Sequence, residues 1–95
     1  VAPTPPIINS AVMNATDILV QFEPAVGESV DGFFVGFGRI SNNDSDYMWR
    51  YIPDPSARSL LVSTQGQAGP FYVSVMAFTA NGGMSNGNIQ FVSGS

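Results

Sequence analysis

Residues 71–79 carry the clearest alternation in the chain. Phe71, Val73, Val75 and Ala77 are apolar without a break, the period-two signature of a strand that buries one face. Between them Tyr72 and Ser74 are amphipathic or polar, while Met76 and Phe78 are apolar. The second face is therefore expected to be partly covered, which makes this a central strand. Asn81-Gly82-Gly83 follows, with residue types that supply the positive φ of a tight hairpin turn. A partner strand is expected over residues 88–92, with Ile89 and Phe91 facing inward.

The same reading predicts strands upstream. Residues 7–13 form a first strand, with Pro6 at its edge. Residues 18–22 place Ile18, Val20 and Phe22 on one face, and residues 32–40 alternate Phe33, Val35 and Phe37 inward. Gly36 and Gly38 leave the other face of that strand bare, a pattern that marks a bulge or a close approach by another backbone or a ligand. Residues 47–52 and 60–63 complete the set, with Leu60 and Val62 as core candidates. Seven short strands, no helical period and turn signals roughly every 8–12 residues predict an all-β, seven-stranded antiparallel β-sandwich.

Composition narrows the function classes. A chain of 95 residues holds one core. Residues 1–6 are expected to be a proline-rich interdomain linker, residues 7–92 the domain and 93–95 a flexible tail. Only 11% of residues are charged, the net charge is -4, and Lys is absent. With Arg39, Arg50 and Arg58 scattered, there is no basic patch for a phosphate backbone or for anionic headgroups. Neither nucleic-acid binding nor direct membrane insertion is expected. The chain has no Cys and no His, so disulfides, thiolate chemistry, the common zinc sites and the usual neutral-pH proton shuttle are all missing.

Taken in order, the motifs resemble the fibronectin type III family across nearly the whole chain. Pro3 to Pro6 looks like that family's proline-rich start, and Ile18-x-Val20-x-Phe22-x-Pro24 looks like its second strand, with Phe22 where Trp is usual. Gly32-Phe33-x-Val35-x-Phe37 resembles its third strand. Phe71-x-Val73-x-Val75-x-Ala77-x-Thr79-x-x-Gly82-x-x-Ser85 resembles its sixth strand and turn. Three departures stand out. Phe22 loses the indole N–H, Phe71 loses the hydroxyl of the family's tyrosine corner, and Gln65-Gly66-Gln67 stands where a Leu-x-Pro is usual. The resemblance implies the immunoglobulin-like sandwich and a non-catalytic role in an extracellular or cell-surface protein, as spacer, adhesion or receptor module. Neighbouring domains of the same chain and a further protein are the partners it implies. The Arg-Gly-Asp tripeptide and the Trp-Ser-x-Trp-Ser box known in parts of that family are absent.

Candidate chemistry is sparse. Alternation puts Tyr47, Trp49 and Tyr51 on one face, a platform for sugar rings or a partner protein, with Arg50 between them. The preferred reading is plainer: this face packs on the core and leaves Met48, Arg50 and Ile52 outside, or Trp49 covers a sheet edge. A carbohydrate-binding module built on the three aromatics is the alternative function. Homophilic edge-strand adhesion is a third, because the edges have few charged gatekeepers. Asn14-Ala15-Thr16 and Asn43-Asp44-Ser45 fit the glycosylation pattern at Asn14 and Asn43. Residues 42–46 offer oxygen ligands but read as a turn, so no metal and no cofactor are expected. The acids lie in loops or at strand ends, and no base accompanies any Ser, so no catalytic residue is assigned and enzyme activity is not expected.

Overall fold

The computed structural model describes residues 4–14, 16–27, 29–39, 47–67, 69–80, 83–85 and 87–92. Seven strands lie within them: β1 (Ile7–Asn14), β2 (Asp17–Glu23), β3 (Gly32–Gly38), β4 (Met48–Ile52), β5 (Ser59–Ser63), β6 (Phe71–Phe78) and β7 (Asn88–Val92). They pair antiparallel in two sheets, ordered β1-β2-β5 and β4-β3-β6-β7. The fold is thus the all-β, seven-stranded antiparallel sandwich that the alternation predicts.

Its core is the set of inward positions. Ile18, Val20 and Phe22 of β2 meet Phe33 and Val35 of β3 and Phe71, Val73, Val75 and Ala77 of β6, all fully buried. The Phe22 ring meets the Phe33 ring edge-on at 4.9 Å across the sandwich, and within the four-stranded sheet Phe37 meets Phe71 edge-on at 5.6 Å. Burial of each such side chain contributes about 1.5–3 kcal/mol, which offsets the entropy of ordering a small domain without disulfides. Pro6 is also fully buried, so the packed body takes in the residue ahead of β1.

One predicted phase is corrected. Ile89 and Phe91 were expected inward, but Phe91 stands opposite Tyr72 and is 50% exposed, whereas Val92 stands opposite Phe71 and is buried. Directly opposed residues share a face, so β7 takes its phase from β6. Because β6 turns Phe71, Val73 and Val75 inward, the outward set must include Tyr72 and Ser74 and therefore Phe91 and Ile89.

Two loops are held by buried hydroxyl bonds. Thr64, fully buried, donates its Oγ1–H and its backbone N–H to the Thr16 carbonyl at 2.5 and 3.1 Å, pinning the chain after β5 to the β1–β2 turn. The turn beyond it uses positive φ at Gln65 (57°) and Gly66 (79°), and Gly69-Pro70 is cis. After β6, Ser85 is buried; its Oγ accepts the Ala77 N–H and its own N–H donates to the Ala77 carbonyl, each at 2.8 Å. Asn81 and Gly82 of the expected turn lie outside the described residues; the Thr79 N–H donates to the Gly83 carbonyl at 2.9 Å.

Candidate functional site

The outer face of the four-stranded sheet is built by the residues that the core rejects. With Phe33, Val35 and Phe37 inward, β3 turns Gly32, Phe34, Gly36 and Gly38 outward, and β4 follows in register with Trp49 opposite Gly36 and Tyr51 opposite Phe34. β6 adds Tyr72, Ser74, Met76 and Phe78, and β7 adds Ile89 and Phe91. Tyr47, Trp49 and Tyr51 therefore share a face, as alternation places them, but it is the face away from the core. The expectation that this face packs on the core is corrected by the phase β4 takes from β3. Arg50 stands opposite Val35 on the other side of β4, so it does not join the three rings.

The bare glycines let rings lie flat on the sheet. A Cβ on Gly36 would come within 2.6 Å of the Trp49 indole, one on Gly38 within 2.3 Å of the Tyr47 ring, and one on Gly32 within 2.5 Å of the Phe78 ring. At Gly36 and Gly38 the expected bulge or approach by another backbone or a ligand is corrected: the space is filled by aromatic side chains of the neighbouring strand and its lead-in. Tyr47 is buried and Trp49 half-buried by this seating, while Tyr51 stands 61% exposed. Phe34, Tyr51 and Phe78 form a triad with centroids 5.2 to 5.5 Å apart, the last two stacked at 27°. Tyr47 leans on Trp49 at 5.7 Å, and Tyr72 meets Phe91 at 5.3 Å.

Between these clusters lies a shallow depression of about 230 Å³, lined by Phe34, Trp49, Met76 and Met84. Its floor is apolar, and the indole N–H is the one strong hydrogen-bonding group on its side chains. Phe34, Met76, Met84 and Phe78 were not assigned to a site from sequence. The apolar even positions of residues 71–79 were the signal for Met76 and Phe78. Among the described residues, none of those facing outward here carries a charge.

A larger depression of about 410 Å³ lies at one end of the three-stranded sheet, lined by Asn9, Gln21, Phe22, Glu23, Arg58 and Ser59. Its polar groups already serve one another. Asn9, set off by the bulge between Ile8 and Ser10, donates to Glu23 at 3.1 Å, and Arg58 donates to the Pro55 and Ala57 carbonyls at 2.9 and 2.7 Å. The aromatic face carries the less satisfied surface despite its smaller volume.

Asn14 is exposed at the end of β1, opposite Asp17. Asn43 and the oxygen-rich residues 42–46 lie outside the described residues. Of the acids, Glu23 accepts the Asn9 bond and Asp31 accepts the Ala80 N–H. Among the described residues no group of His, Cys, Asp or Glu is placed to hold a metal, and no helix is long and apolar enough to cross a membrane.

No protein-family model and no curated protein matches this chain. Solved structures do. A β-sandwich protein from a computer-based redesign superposes with a TM-score of 0.68 at 18% identity, over 100% of this chain and 95% of that one. The spore cortex lytic enzyme SleM of Clostridium perfringens gives 0.73 at 16% identity, over 96% of this chain and 28% of the enzyme. A myokine gives 0.70 at 16% identity, over 99% of this chain and 100% of that one. The class they define is the β-sandwich.

Proposed function

We propose that this chain is a fibronectin type III-like, non-catalytic module that docks a protein partner through the outer face of its four-stranded sheet. Its setting would be a larger extracellular or cell-surface protein, where it also spaces neighbouring domains. The family assignment draws support from the motif order, from the division of strands into three and four, and from the Ser85 bond that closes the sixth-strand turn. The exposed Asn14 suits a glycosylated surface. The docking role rests on one observation. An uncharged aromatic and methionine face surrounds a depression with almost no hydrogen-bonding groups, the chemistry that accepts an apolar anchor side chain.

The stacked pair of Tyr51 and Phe78 supports a second reading, a sugar platform, because a flat exposed ring is what a pyranose covers. Sugar hydroxyls also need polar partners, and Phe34, Met76 and Met84 supply none, so the protein reading ranks first.

Selection of random peptides on sparsely immobilised domain separates the two, alongside a glycan array. Peptides with Leu, Met or aromatic anchors are expected, weakened at least about tenfold by Tyr51→Glu and unaffected by Leu61→Glu on the opposite sheet, one decade being about 1.4 kcal/mol. Peptides indifferent to Tyr51→Glu would overturn the docking role. A saccharide that shifts Trp49 emission would put the sugar platform first.

A further inference from the structure

We propose that the occupant of the aromatic face is the same face of a second copy of this chain, in a two-fold symmetric dimer. This rests on reading that face as a protein-docking surface and names its partner. An exposed ring and a depression sit side by side on one surface. Tyr51 is 61% exposed with its ring stacked on Phe78, and the depression beside it is lined by Phe34, on which Tyr51 also packs, and by Trp49, two residues away along β4. That spacing is about 7 Å at the rise of an extended strand. A two-fold axis passing between them seats each copy's Tyr51 in the other's depression, which is the self-complementarity an isologous contact requires.

Area and charge agree. Tyr51, Phe91 and Met84 are 61%, 50% and 46% exposed, and with the half-buried members of the face they offer roughly 600 Å² of mostly apolar surface per copy, taking about 150–250 Å² for each aromatic side chain. Two copies would bury about 1,200 Å², the lower bound for a specific and reversible interface. The outward residues of this sheet carry no charge among those described, so the net charge of -4 brings no like charges into the contact. The opposite sheet does not offer the same surface. Its outer face has a single apolar row, Val12-Leu19-Leu61, flanked by the polar rows Ser10-Gln21-Ser59 and Asn14-Asp17-Ser63.

Sedimentation equilibrium of the full chain from about 10 μM to about 1 mM spans the affinities such a small interface reaches. The expected result is a monomer–dimer equilibrium, with Trp49 emission moving to the blue and losing acrylamide quenching as concentration rises. Tyr51→Glu should weaken the dimer at least tenfold and Leu61→Glu should leave it intact, with far-UV circular dichroism showing both variants folded. A chain that stays monomeric throughout the range overturns the dimer, as does a dimer that survives Tyr51→Glu or fails with Leu61→Glu. Peptides that still dock in a Tyr51-dependent way on a monomer would leave the docking surface standing and remove only its self-pairing.

Discussion

Placing a methyl group on Gly36 tests how the aromatic face is built. In Gly36→Ala the new Cβ would lie 2.6 to 2.9 Å from three carbons of the Trp49 indole, where carbon atoms normally sit about 3.5–4.0 Å apart. The ring must lift by about 1 Å or swing aside, which returns its underside to water. Taking about half of a 150–250 Å² aromatic surface as newly wetted, at about 25 cal/mol per Å², the loss is about 2–3 kcal/mol. Ala is better than Gly in a strand by roughly 0.5–1 kcal/mol, so the net cost is about 1–2.5 kcal/mol. For a domain of this size that lowers Tm by about 4–20 °C. Urea unfolding followed by circular dichroism gives the stability, and acrylamide quenching of Trp49, the only Trp, gives the ring's position. Gly27→Ala is the control. Gly27 has φ of 82° and nothing within 4 Å of a Cβ, so the cost there is backbone strain of about 1–2 kcal/mol with Trp49 quenching unchanged. A Gly36→Ala protein as stable as the parent, with quenching also unchanged, would refute the seating of the indole on Gly36.

Two further outcomes follow from the packing. Ser85→Ala strips the acceptor from the buried Ala77 N–H and should cost about 1–3 kcal/mol in urea unfolding, with faster exchange of the Ala77 amide; a cost under about 0.5 kcal/mol would mean that another group satisfies it. Phe33→Ala should cost about 3–5 kcal/mol because Phe33 is fully buried against Phe22, while Phe91→Ala on the outer face should cost about 1 kcal/mol. Equal losses at the two positions would restore the inward phase for β7.

The strands that read most clearly were those with one unbroken apolar phase. Phe71, Val73, Val75 and Ala77, and likewise Ile18, Val20 and Phe22, leave a single way to bury a face, so alternation alone located the core. β7 was less legible. Asn88-Ile89-Gln90-Phe91-Val92 has apolar residues in both phases, and burying Val92 is compatible with one phase while burying Ile89 and Phe91 needs the other. β4 had the same ambiguity between Tyr47, Trp49 and Tyr51 and the set of Met48, Arg50 and Ile52.

What the amino-acid sequence determined by itself was therefore the class of fold and the inward set of the central strands, because these follow from local alternation. Tertiary structure decided which way the edge strands face, since an antiparallel neighbour imposes its own phase through the hydrogen-bonded register. It also decided that Trp49 of β4 joins Phe34, Met76 and Met84, residues far apart in the chain, around one depression. The site is a product of pairing across strands, and that pairing depends on long-range contacts that no single strand's alternation encodes.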